Sequence, residues 1–325
     1  MKASAVAPSN IAFIKYWGKK DEVLRLAENS SISMNLSNLL TTTTVEFDSR
    51  FLEDSVTING RQNEKERERV IKHLDRIRKL AKITDKAKVV SENNFPTATG
   101  LSSSASGFAA LTVAGAAAAG LQLSEKELSI LARQGSGSAC RSIPDGFVQW
   151  LNGDTSESSY AVSLYNSEYW DIVDVVAVVN VGPKDVATSD GQKIAGTSPF
   201  FQIRVSQMEK KIKMIKKYLK EKNFQKFGEL AEAEALEMHA VMLTSTPSLI
   251  YWLAGTIQVM KAVKKWREDG LPVYFTMNTG QDMHLLCRKN DFPKVMKKLS
   301  EIKEVKQIIM NYPSKGTRLV KSHLF

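Results

Sequence analysis

Two cysteines and four histidines in 325 residues leave little for disulfide or metal chemistry. Cys140 and Cys287 belong to no CxxC pair, and His73, His239, His284 and His323 are scattered, so no metal site is implied. No His stands near Cys140 in GSACRS, which reads as a small buried thiol rather than a nucleophile. No apolar run approaches the ~18–20 residues of a membrane span. The opening MKASAVAPSN lacks the apolar core of a signal peptide, so a cytoplasmic protein without membrane contact is expected. Repeats, low-complexity tracts and long linkers are missing too. So is GxxxxGK[ST], which excludes a Walker A loop.

What is present is positive charge, +10 formally. Much of it sits in MEKKIKMIKKYLKEKN (208–223) and KKLSEIKEVK (297–306), where apolar residues recur at helical spacing between lysines. Such runs are solvated helix faces or attract an anionic partner. The basic runs carry a single interleaved aromatic, Tyr218, too few for stacking bases, which speaks against nucleic acid and leaves a small, multiply anionic molecule.

Residues 3–15 and 40–60 read as strands, TTTTVEF (41–47) most clearly, and 66–83 as an amphipathic helix. KVVSENN (88–94) is strand, and 103–121 an Ala-rich helix packed on a sheet. Ser124 and Glu127 have capping-box spacing at the head of a helix over 124–135. Strands at 146–151 and 171–181 precede long helices at 199–220, 222–243 and 247–268. A strand at 273–277, a helix near 292–301 and a strand near 304–311 follow. This non-alternating order is α+β, with a boundary near residue 182 dividing domains 1–182 and 183–325.

Three loops carry chemistry. In NNFPTATGLSSSASGFAAL (93–111) a strand gives way to serines opening a helix, an anion site made of backbone N–H groups and hydroxyls. In NIAFIKYWGKKD (10–21), Lys15 lies within an apolar run, and a buried cation needs an anionic partner. In RQGSGSACRSIPDGF (133–147), small residues surround Arg141, whose planar fork suits a carboxylate or phosphate. A fourth stretch, VYFTMNTG (273–280), is a strand ending at Asn278. That residue is either a turn former or stands where a base is missing, since an amide does not accept protons near neutral pH.

On these residues the chain resembles the GHMP small-molecule kinase superfamily, whose phosphate loop P-x-x-x-G-L-x-S-S-A corresponds to Pro96–Ala105. NIAFIKYWGK, FPTATGLSSSASGFAAL and GSGSACRS together resemble the mevalonate diphosphate decarboxylases, co-linearly over essentially the whole chain. The resemblance implies a two-domain GHMP kinase fold. Its N-terminal domain is like that of a ribosomal protein, its C-terminal domain is a ferredoxin-like sandwich, and the site lies in the cleft between them. It implies Lys15 near the reacting oxygen, and Tyr16, Trp17 and Lys19 toward the 5-phosphate end. Ser138 and Arg141 hold substrate, with Arg141 on its carboxylate, and Thr188, Ser189 and Lys193 cover the 5-phosphate. Thr99, Gly100, Leu101, Ser102, Ser103, Ser104 and Ala105 form the phosphate loop. A homodimer is expected.

The family is ATP-dependent and has Asp at the position of Asn278, beside the 3-hydroxyl. Its Pro-Asn after that turn is Gln281-Asp282 here, and its hydroxyl-rich SS[RT]xGM segment is Thr188-Ser189-Asp190-Gly191-Gln192. Relatives in archaea with modified mevalonate pathways decarboxylate mevalonate 3,5-bisphosphate without ATP. The expectation is that reaction, with Lys15, Ser138, Arg141 and Asn278 as catalytic residues and no cofactor. The alternative is a decarboxylase of phosphomevalonate or diphosphomevalonate that uses ATP and Mg2+.

Overall fold

β1 (Lys2–Ile14) is buried from Ser4 onward, as its small and apolar residues require. In this computed structural model, residues 1–325 are described except 97–99, 181 and 183–185. After the short β2 (Lys19–Asp21) and β3 (Leu26–Ala27), β4 (Ser31–Asp48) runs back antiparallel to β1, from Ile14↔Ile32 to Lys2↔Glu46. The register slips between Pro8 and Asn10 and again between Ala12 and Ile14. Pro8 has no N–H for the ladder, and such slips bend and re-aim a strand. Both fall just before Lys15, where the ladder ends.

β5 (Ser55–Ile58), α1 (Glu64–Ala81) and β6 (Lys86–Asn93) follow. α2 (Ser103–Ala118) is buried nearly all round, which its Ala-rich sequence permits. α3 (Glu125–Gly135) opens with the reciprocal Ser124–Glu127 capping box. β7 (Phe147–Trp150), β8 (Ala161–Tyr165) and β9 (Ile172–Val178) come next. They lead to α4 (Thr188–Lys193), α5 (Phe201–Lys220), α6 (Phe224–Leu243) and α7 (Ala254–Glu268). β10 (Val273–Thr276), β11 (Met283–Arg288), α8 (Phe292–Ser300), β12 (Gln307–Asn311) and β13 (Arg318–Val320) complete the chain.

Two main sheets and a small β2-β3 pair result, an α+β arrangement. The first runs β13-β1-β4-β6-β5, with β7 joined to β4 and β8 to β7; the second runs β10-β11-β9-β12. α1 and α2 cover one face of the first sheet around Val45, Phe47, Leu74 and Phe108. α7 and α8 cover the second around Val175, Val263 and Leu299. A third core belongs to both halves: Phe13, Ile32 and Phe147 from the first meet Val176, Phe227 and Leu286 from the second.

The strand read at 40–60 starts earlier, at Ser31, and stops at Asp48. Its polar first half is strand because its hydroxyls and amides have buried partners. The helix read at 247–268 begins only at Ala254. β8, β11, β13 and α4 carry no apolar period that marks them. In β11, for instance, His284 interrupts the run and pairs with buried Asp174 at 3.0 Å. The expected boundary near 182 falls among residues of which only Gly182 is described. On α5, Met208, Ile212, Ile215 and Leu219 face inward while Lys210, Lys213, Lys217 and Lys220 are exposed, a solvated face.

Phe227 is fully buried, its ring 4.7 Å from Phe13 and 5.2 Å from Trp170. Phe227→Ala is expected to cost about 3–5 kcal/mol, read as a lower urea midpoint at unchanged slope. A loss under about 1 kcal/mol would mean that the shared core does not join the halves.

Candidate active site

A cavity of about 1310 Å3 is lined by Lys15 at the end of β1, Ser102 before α2, Arg141 and Asn278. Lys15 is 2% exposed. Its Nζ donates to the Ala12 carbonyl and, at 3.4 Å, to Asn278 Oδ1. No carboxylate forms an ion pair with it among the described residues. Burial pushes its amine well below the usual lysine range, partly offset by Glu234. An anion entering the cavity restores the charged form, since opposite charge favours it.

Arg141, in the short turn Gly137–Ser142, is equally buried. Nε donates to Ser33 Oγ at 3.1 Å, Nη1 to Ser31 Oγ at 2.6 Å and Nη2 to Asn10 Oδ1 at 3.0 Å. All three acceptors are neutral, so the guanidinium is oriented without being neutralised, and two N–H donors are left over. Asn10, Ser31 and Ser33 seat Arg141, which the motif reading missed. The signal was there: Ser31 and Ser33, two apart on a strand, share one face. Burial pushes the neighbouring Cys140 thiol up to about 12, which makes it inert.

In the serine loop, Thr99 lies outside the described residues. Gly100 has φ +114°, and a Cβ there would lie 2.7 Å from the Cα of Gly280. Only glycine fits on both counts, so the loop rests directly on the turn after β10. Leu101 and Ala105 are buried and serve packing. Ser102, Ser103 and Ser104 line the cavity. Among the described residues no side chain caps α2 and no acid stands in its first turn, so its N-terminus is suited to an anion.

Asn278 joins these parts. Its Nδ2 donates to Ser102 Oγ at 2.8 Å and to the Asn10 carbonyl at 3.3 Å. That carbonyl fixes the amide, because only an N–H belongs beside it. A carboxylate here would set oxygen against oxygen. Among the described residues, the acids lining the cavity are Glu66 and Glu92, and neither forms an ion pair with Lys15. His239 holds the turn from behind: its Nε2 bonds the Asn278 carbonyl at 3.0 Å and its ring stacks on Trp252.

Tyr16, Trp17, Lys19, Ser138, Thr188 and Ser189 also line the cavity. The Tyr16 ring packs edge-on against Trp150, and burial raises its pKa. Trp17 is wholly buried among Phe201, Leu249 and Tyr251. Lys19 pairs with Glu22 at 2.7 Å, and Thr188 meets Thr279 at 2.6 Å across the cleft. Lys193 differs: it is exposed, pairs with Asp190 and lies off the cavity wall. Gln192, from the same segment, lines it instead, as does Arg25, which the motifs did not mark.

A two-sheet α+β chain with an open helix N-terminus and two buried cations at one cleft has the architecture of the GHMP kinase class. The comparisons narrow this. Residues 7–161 match the diphosphomevalonate decarboxylase-like N-terminal domain, and residues 174–322 the mevalonate 5-diphosphate decarboxylase C-terminal domain. The chain belongs to the diphosphomevalonate decarboxylase family. It is 36% identical to the diphosphomevalonate decarboxylase of Candida albicans, over 90% of this chain and 86% of that one. The solved mevalonate diphosphate decarboxylase from Enterococcus faecalis is 39% identical over 99% of each chain, with TM-score 0.92. That from Staphylococcus aureus is 38% identical over 98% of each, with TM-score 0.94.

Two outcomes follow. Arg141→Lys keeps the charge but loses the three-point seat, and misplacement by about 1 Å costs on the order of a hundredfold in turnover. Near-normal turnover would show that the planar fork is not needed. Burial pushes His239 down to about 4 and His73 to about 3, against about 6.5 unfolded. Their neutral forms fit the fold, so stability is full above pH about 6.5 and is lost as pH falls toward 4 and 3. His239→Gln keeps a donor and removes one titration. The slope of urea stability between pH about 6.5 and 4 is therefore expected to fall, and an unchanged slope would remove His239 from that account.

Proposed function

We propose that the chain decarboxylates a 5-phosphorylated mevalonate that carries phosphate on its 3-oxygen. The C3–O bond breaks and its electron pair leaves with the phosphate. The C1–C2 pair becomes the C2–C3 double bond as CO2 departs. Arg141 grips the carboxylate in line with the leaving group, and Lys15 faces the charge growing on the phosphate oxygen. Ser102–Ser104 and the N-terminus of α2 cradle the phosphate, so the donors are placed before the reaction. Tyr16, Lys19, Thr188 and Ser189 hold the 5-end.

Asn278 carries the choice of substrate. Phosphorylating a tertiary hydroxyl needs its proton removed, whereas elimination from an existing 3-phosphate does not. The substrate we infer is therefore mevalonate 3,5-bisphosphate, which gives isopentenyl phosphate, CO2 and phosphate without ATP. A second reading is favoured more directly by the relatives, which are named diphosphomevalonate decarboxylases. A neighbour 41% identical, with TM-score 0.94, holds MVAPP, AMPPCP and magnesium. On that reading the substrate is mevalonate 5-diphosphate, and bound nucleotide supplies the phosphoryl group. The open α2 N-terminus and the three serines fit nucleotide phosphates.

CO2 release from mevalonate 3,5-bisphosphate without nucleotide is the deciding assay. We expect turnover there. With ATP and magnesium, mevalonate 5-phosphate and 5-diphosphate are expected to react ~10²–10⁴-fold more slowly, the usual worth of a general base. Asn278→Asp is expected to weaken the nucleotide-free reaction by about tenfold or more, by placing a carboxylate beside the leaving phosphate. Robust ATP-dependent CO2 release from mevalonate 5-diphosphate by the unmodified protein would decide for the second reading.

A further inference from the structure

Lys15 is the first residue beyond β1, so neither of its peptide groups has a place in the sheet ladder. Buried peptide groups need partners. The Lys15 N–H donates to Glu234 Oε2 at 3.0 Å, and its carbonyl accepts from Arg204 Nη2 at 2.9 Å and from Asn29 Nδ2 at 2.9 Å. Glu234 and Arg204 also bond each other at 2.9 Å, with side chains 0% and 2% exposed. They come from α6 and α5, in the other half of the chain. Arg204 Nε and Nη1 find no partner among the described residues. The contacts that Arg204 does make, to the Lys15 carbonyl and to Glu234, both come from Nη2, so one end of the guanidinium bridges the two.

We propose that Glu234 and Arg204 are positioning residues: a buried ion pair of the C-terminal helices that clamps both peptide groups of Lys15 and holds its amine against Asn278. The pair lies outside the cavity wall and acts through Lys15. The clamp explains how a lysine at a strand end keeps one place when the side chain it faces, Asn278, belongs to the other half. It also has an electrical side. The charged groups acting on Lys15 are Glu234, Arg141, Asp174 and Arg204, and Lys15 in turn acts on His239. Glu234 is the strongest of the carboxylates opposing the effect of burial. Lys211 moderates it from the outer side, bonding Glu234 Oε1 at 2.8 Å and also pairing with Glu237.

This inference rests on Lys15 standing at the reacting centre, and its test is read with and without turnover. Titration of the Lys15 amine by NMR of 15N-lysine-labelled protein needs no substrate. Glu234→Gln keeps the shape and an acceptor for the Lys15 N–H but removes the charge, so the titration moves to lower pH. Lys211→Met strips a cation from Glu234, so it moves to higher pH. With whichever phosphorylated mevalonate the unmodified protein accepts, Glu234→Gln lowers kcat about tenfold with KM within about twofold, because the loss falls on alignment rather than on binding. Its alkaline limb moves to lower pH, and that of Lys211→Met to higher. A purely structural role lowers the melting temperature and moves neither titration nor limb, and that result overturns the proposal. Lys211 is only part-buried and makes no contact with Lys15, so its variant decides alone if Glu234→Gln does not fold. Absence of turnover on every mevalonate tried refutes the proposed reaction and leaves the titration to decide the clamp.

Discussion

The site depends on one electrostatic circumstance: a lysine buried where the two halves meet, whose amine forms no ion pair with a carboxylate among the described residues. Burying an ammonium without a counter-ion is costly, and the protein meets that cost by shifting Lys15 toward its neutral form. The cavity is therefore primed for an anion. Arg141 repeats the pattern, held by three neutral oxygens and neutralised by none. Both groups are oriented before a ligand arrives, and an entering anion meets donors already in place.

Asn278 is the hinge between this electrostatic arrangement and the chemistry. Its amide accepts from Lys15, donates to the serine loop and donates to the backbone of β1. A carboxylate cannot make the last contact, and it could keep the one to Ser102 only by accepting from the hydroxyl. The residue is thus fitted to its surroundings as an amide, and the surroundings include the loop that cradles phosphate. Close contact of Gly100 with Gly280 ties the same two segments by shape. Loop, strand end and lysine form one unit in which a change at one member displaces the others.

Much of this was legible in the chain. The apolar setting of Lys15, the serines after Gly100, the small residues around Arg141 and the strand ending at Asn278 are local patterns, and each has a local physical meaning. The capping box at Ser124 and the buried Ala-rich α2 are of the same kind. Lys193 shows the limit of reading by position: its place in the motif does not tell that its side chain turns to solvent and Asp190. Gln192, its neighbour, turns inward.

The sequence by itself determined the longer elements and the donor-rich loops, because helix periodicity, turn residues and burial preferences act over a few residues. The tertiary structure alone decided which of them meet. Asn10, Ser31 and Ser33 look like interruptions of a strand until Arg141, more than a hundred residues on, needs three acceptors. Glu234 and Arg204 look like ordinary charged helix residues until the ladder of β1 runs out at Lys15. A buried polar group is defined by its partner, and in this fold the partners come from distant parts of the chain.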